Sequence, residues 1–154
     1  MRLLTHNTLR NNSAEAAASK INKIQQHGEI GGGYPLKITA TEVRVDTDSA
    51  SNDNSSNDSA DREVAFVTGI LGTIEWEVLV KAASSCGLGG ALPKALTEDL
   101  TKDPTFLRAL YHVLMNVHVV SGMLTCPTTG REFPITNGIV NFMLEEDECE
   151  IIRA

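Results

Sequence analysis

Three groups of residues have types and spacings that could do chemistry. In TCPTTGREF, Cys126, Pro127 and Gly130 occupy the places of a Cys-x-x-Cys-Gly turn, the kind that holds zinc, but Thr129 stands where the second thiolate would be. Structural zinc needs four ligands, usually Cys or His, so this turn predicts no bound metal. His6 and His27 could substitute only if folding carried both to Cys126, which otherwise reads as a small buried hydrophobe. In SSCGLGG, Cys86 precedes a glycine cluster, yet those glycines follow a helical pattern and so mark a helix stop, not an anion-binding N-terminus. Glu145, Glu146, Asp147, Glu148 and Glu150 read as a solvated acidic tail over 146–154. No nucleophile with a base and no acid–base pair converges, so no catalytic residue is expected.

The bulk properties narrow the function further. A chain of 154 residues with 42% hydrophobic residues builds one domain. Thirteen Lys and Arg face twenty Asp and Glu, a formal net charge of −7, which disfavours direct nucleic-acid binding because phosphates must be neutralised by cations. No run of about 18 apolar residues suits a membrane span, and the start is too polar for a signal peptide. Three widely spaced cysteines, Cys86, Cys126 and Cys149, suit free thiols in a reducing compartment, so a cytoplasmic and nuclear location is expected.

The elements that must position these residues follow from hydrophobic period. PLKITATEVRV alternates in one phase through Ala40 and in the other from Val43, a strand with a bulge near Thr41. From Asp61 the period turns helical; Thr73 is a candidate cap for a helix through IEWEVLVKAA, and Gly87 closes it. Asp103-Pro104 starts another helix, whose stripe runs through Phe106, Leu107, Leu110, Val113, Leu114 and Val117. Val117–Val120 then reads as a strand, Ser121-Gly122 as a tight turn, Met123–Cys126 as the return strand, and Asn137-Gly138 as a second hairpin. Two polar stretches, 10–33 and 46–62, are read as insertions, the second as a disordered loop. The fold class is α+β: a discontinuous β domain over 1–45 and 117–145, with a helical insertion over 61–116.

One stretch suggests an interface. IVNFML, residues 139–144, has Asn141 as its only polar member, so both faces of this strand are apolar. Such a strand either lies between sheet and helices or invites pairing with another chain, and the pattern alone leaves both open.

MRLLTHNTL, YPLKITATEVRV, IEWEVLVKAA, FLRALYHVLMNV and HVVSGMLTCPTTGREFPITNGIVNFML, in this order and spacing, resemble the eukaryotic multifunctional methyltransferase-activator subunits, small zinc-finger-domain partners of tRNA, rRNA and release-factor methyltransferases. The resemblance implies a non-catalytic subunit of 1:1 complexes with Rossmann-like enzymes, which themselves use S-adenosylmethionine, and a small antiparallel zinc-ribbon-like sheet made from both chain ends. Metal-bearing members have a cysteine pair soon after the first strand and a Cys-x-x-Cys pair in the C-terminal hairpin; here no cysteine follows Leu9 and Thr129 replaces the last ligand. The resemblance also implies docking by strand addition to the enzyme's sheet. The partner-binding residues on this reading are Leu4, Thr5 and Asn7 from MRLLTHNTL, itself read as an edge strand, with Val140, Asn141, Phe142, Met143 and Leu144. His6 is read as a satisfied surface histidine. Val140 stands where the family is expected to have proline, which restores a backbone N–H to the strand. A generic protein–protein adaptor is the alternative function.

Overall fold

The computed structural model describes residues 1–11, 33–47 and 56–143. Most of the 10–33 stretch, Leu144 and the acidic tail therefore lie outside the described residues. The elements are α1 (Leu3–Thr8), β1 (Lys37–Val45), α2 (Ser56–Ile70), a 3-10 turn (Leu71–Thr73), α3 (Trp76–Ser85), α4 (Glu98–Lys102), α5 (Pro104–Met115), β2 (Val117–Thr125), β3 (Glu132–Thr136) and β4 (Ile139–Val140). The strands form one antiparallel sheet in the order β1-β2-β3-β4, and the helices pack beside it, an α+β arrangement.

The helices of the middle segment form where capping and apolar period agree. The carboxylate of Asp103 accepts a hydrogen bond from the Thr105 amide at 2.9 Å, Pro104 occupies the first helical position, and Leu107, Leu110, Val113 and Leu114 bury the inner face of α5. α3 ends in a Schellman motif: the amide of Leu88 bonds the carbonyl of Ala83 at 2.9 Å, that of Gly87 bonds Ser84 at 3.1 Å, and Gly87 sits at φ +81°. Thr73, expected to cap α3, instead donates its hydroxyl to the Ile70 carbonyl. The cap of α3 comes from elsewhere in the chain, as described below.

Four further expectations are corrected. MRLLTHNTL is a helix, not an edge strand, and only Arg2 bridges a strand, opposite His118. Its buried side chains, Leu3, His6 and Asn7, recur at helical spacing on one face. The second is the turn expected at Ser121-Gly122: β2 runs straight through it as one strand of nine residues. A Cβ on Gly122 would lie 2.4 Å from the Thr39 carbonyl oxygen, so the glycine allows β1 to approach closely and does not reverse the chain. Thirdly, α2 begins at Ser56, inside the stretch read as a disordered loop; Asp58 lies in its first turn and pairs with Arg62 one turn on. Lastly, among the described residues of IVNFML only Ile139 and Val140 are strand. The Asn141 side chain accepts a hydrogen bond from the Met143 amide at 3.0 Å, a local turn that ends the pairing.

The bulge near Thr41 is present. Ala40 pairs with Gly122, Glu42 with Ser121 and Val43 with Val119, so the register slips by one residue and is restored at the next pair. Leu3, Leu36, Leu79, Leu110, Val119 and Leu124, each at most 2% exposed, anchor one core shared by the helices and the sheet.

Candidate partner-docking surface

Hydrogen bonds to distant backbone hold the N-terminal helix. Asn7 donates its side-chain amide to the Glu75 carbonyl and accepts from the Glu75 amide, both at 3.0 Å, and thereby caps α3 from across the chain. The Tyr34 hydroxyl donates to the Asn7 carbonyl at 2.8 Å. His6, read as a surface histidine, is buried, and its Nε2 donates to the Leu36 carbonyl at 2.7 Å while Nδ1 meets no partner. Burial holds His6 below the ordinary histidine range, although the bond to Leu36 opposes that shift. It is a neutral core residue.

Of the expected partner-binding residues in α1, Thr5 is exposed and Leu4 is half-buried against the core, but Asn7 is only 3% exposed and faces α3. The N-terminal segment does meet the last hairpin, through Met1. Its ammonium donates to the Val119 carbonyl at 2.7 Å, its carbonyl accepts from the Val119 amide, and a Cβ on Gly138 would lie 3.1 Å from its nitrogen.

The hairpin itself is built at Asn137 (φ 51°) and Gly138 (φ 78°), two successive left-handed residues that match the twist of the flanking strands. The chain then presents apolar side chains at the edge of the sheet. Ile139 is 72% and Met143 78% exposed, Val140 is half-buried, and Asn141 is exposed. Phe142 is half-buried on Phe133, ring centroids 4.7 Å apart. Arg131 lies over Phe133, 5.3 Å from its ring centroid, and donates to the Met143 carbonyl at 2.8 Å. The shelf is thus fixed from beneath. Arg131 and Ile139 were not among the expected site residues; Ile139 was legible in the apolar run of IVNFML, whereas nothing local marks Arg131.

The turn after β2 does not fit a zinc ion. Cys126 is 1% exposed. Burial pushes its thiol up, but the polar groups of Thr129, Asn11 and Thr128 beside it together outweigh that and hold Cys126 below the ordinary thiol range. His6 is engaged at Leu36, and His27 lies outside the described residues. Among the described residues, no group of three or more His, Cys, Asp or Glu side chains could hold a metal ion.

No family model matches the sequence. Named proteins do resemble it along nearly their full length. The multifunctional methyltransferase subunit TRM112-like protein of Mus musculus is 36% identical over 150 residues, which span 97% of this chain and 99% of that protein. Its counterpart in Bos taurus is 33% identical over 97% of this chain and 99% of its own length. Multifunctional methyltransferase subunit TRM112 homolog A of Arabidopsis thaliana is 33% identical, with coverages of 96% and 99%. With identity at this level over almost the whole sequence, the chain belongs to the TRM112 family of multifunctional methyltransferase subunits.

Proposed function

We propose that this chain is a non-catalytic activating and stabilising subunit of S-adenosylmethionine-dependent methyltransferases that act on tRNA, rRNA and a translation release factor. The observation that carries the docking mode is the apolar shelf at β4, where Ile139 and Met143 stand largely in solvent beside a strand that is the edge of the sheet among the described residues. An exposed apolar edge is costly alone and is stabilised by a partner strand, as in β-augmentation. The opposite edge, β1, is a poorer template, because it carries the bulge and the exposed charges of Lys37, Glu42 and Arg44.

Leu4, Thr5, Val140, Asn141, Phe142, Met143 and Leu144 contribute to the partner-binding surface, and Asn7 acts by positioning α1. The partner is a Rossmann-like enzyme in a 1:1 complex, which supplies the cofactor site; the present chain needs none of its own. The sheet serves as a zinc-ribbon-like scaffold without metal. The acidic balance supports a protein partner over direct RNA contact, and the complexes are cytoplasmic and nuclear. Activation follows from mass action: a partner that binds only the folded enzyme adds RT ln(1 + [L]/Kd), about 2.7 kcal/mol at a hundredfold excess over Kd.

Co-expression with Rossmann-like methyltransferases of the same organism tests the reading. A 1:1 complex with raised soluble yield and methyl transfer is expected. A well-folded chain that recovers no methyltransferase would leave a generic adaptor and overturn it.

A further inference from the structure

Strand register sets three basic residues in a row across one end of the sheet. Arg44 of β1 lies opposite His118 of β2, and on the other side of His118 lies Arg2, in the bridge that the N-terminal segment makes with β2. Residues directly opposite on antiparallel strands project to the same face. Val117 and Val119 are buried in the core, so His118 between them, and both arginines with it, belong to the face turned away from the helices. Asp46 answers this row only in part: one carboxylate oxygen lies 3.0 Å from Arg44 Nε and the other 2.8 Å from His118 Nε2. Glu42, the other acid of β1, accepts from the Ser121 hydroxyl at 3.4 Å. Arg2 is exposed, and among the described residues no carboxylate pairs with it. Beside the row lies a polar hollow of about 300 Å³, lined by Met1, Arg44, His118, Val120, Asn137 and Gly138. The last two form the tip of the β3–β4 hairpin. Ile135 is buried, so the next pair, Thr136 with Ile139, projects to the outer face as well. Ile139 and the basic row thus flank one hollow on one face.

We infer that Arg2, Arg44 and His118 form a carboxylate-binding row, which extends the docking surface past the hairpin tip and takes one acidic side chain of the partner methyltransferase. This rests on the docking reading above, since an enzyme strand added at β4 carries its flanking residues past the tip beside Ile139. The balance of charge selects the occupant. Two guanidinium groups against the one carboxylate of Asp46 leave an excess that a single further carboxylate balances, whereas a nucleic-acid backbone needs a file of cations to neutralise successive phosphates. Arg2 and Arg44 stand about 10 Å apart at the backbone, two strand spacings, a gap that long arginine side chains close over one carboxylate. Asp46 meets Arg44 through Nε, which leaves its terminal nitrogens for a forked bond to a second acid. His118 is a positioning residue: it holds the second oxygen of Asp46, whose first oxygen orients Arg44.

The test is isothermal titration of the full chain into a methyltransferase recovered by co-expression, comparing the wild type with Arg2→Gln, Arg44→Gln, Arg44→Glu and Met143→Asp. The row requires each glutamine variant to weaken binding at least about threefold and Arg44→Glu about tenfold or more, with melting temperatures within about 2 °C of wild type. It also requires these losses to shrink as salt rises from about 0.05 M to about 0.5 M, because exposed charge pairs are screened. Should Arg44→Gln melt lower through its lost contact with Asp46, Arg2→Gln decides, since Arg2 gives up no such contact. Unchanged affinity in the arginine variants beside a loss in Met143→Asp would overturn the row and leave the docking reading standing. No loss in Met143→Asp, or no methyltransferase recovered at all, would overturn the docking reading and the row with it. Arginine variants that bind the enzyme normally but weaken the hold of the assembled complex on RNA would show that the row meets phosphate, and the inference would fail.

Discussion

The side-chain amide of Asn7 and the backbone of Glu75 form a closed pair of hydrogen bonds, each 3.0 Å, between α1 and the first turn of α3. The amide of Glu75 is one that a helix N-terminus leaves without an internal partner, so a residue in another helix completes α3. Asn7→Ala would strand the Glu75 amide in a partly buried place, while the Glu75 carbonyl keeps its bond from the Leu79 amide. We expect a loss of about 1–3 kcal/mol in urea unfolding. Asn7→Asp keeps the acceptor but places a carboxylate against the Glu75 carbonyl, and should be at least as damaging; a variant as stable as wild type would show that α1 is held by packing alone.

His6 makes stability depend on pH. Its folded pKa lies below the ordinary value of about 6.5, so between those two values the unfolded chain holds a proton that the folded chain does not. Stability is therefore retained above about 6.5 and falls as the pH drops through that range, with a limiting slope of about 1.4 kcal/mol per pH unit. Denaturation curves from pH 5 to 8 check this, and His6→Gln should flatten the slope between pH 5 and 6.5.

Gly122 is irreplaceable for a different reason from a turn glycine. Even alanine would put a Cβ 2.4 Å from the Thr39 carbonyl oxygen, which forces β1 and β2 apart beside the bulge. Gly122→Ala should cost more than about 2 kcal/mol, measured by chemical denaturation. Asn137-Gly138 offers the contrast: Asn137→Ala removes a left-handed asparagine at an exposed tip, and should cost about 1 kcal/mol.

The docking shelf separates into residues that hold and residues that touch. Met143→Asp and Ile139→Asp change side chains already in solvent, so each should weaken partner binding at least tenfold while leaving the melting temperature within about 2 °C. Phe142→Asp would break the stack on Phe133 and lower both binding and stability. Isothermal titration beside melting curves distinguishes the two classes.

The sequence declared those elements whose cause is local. Asp103-Pro104, the Gly87 stop, the Asn137-Gly138 hairpin and the Thr41 bulge each rest on a few neighbouring residues, and each stands in the structure. α1 was misread because six residues carry too little propensity to declare a helix. What makes it one is contact with Leu36, Tyr34 and Glu75, far along the chain. Ser121-Gly122 misled because a glycine admitted for close backbone approach looks the same as one admitted for a turn. At the candidate surface, the apolar character of IVNFML was plain, but not that Asn141 would turn the chain after two strand residues, nor that Arg131 would brace it. The surroundings of Cys126 were hidden likewise, since the polar groups that lower its thiol include one from Asn11, far away in sequence.

The slip and recovery of register between β1 and β2 leaves the sheet asymmetric, one border irregular and charged, the other apolar and open. A sheet with a single usable border accepts a strand from one partner at a time. On the docking reading, different enzymes then compete for one berth and cannot share a subunit. The abundance of this small chain would set how methylation capacity is apportioned among them, and overproducing one client should starve the others.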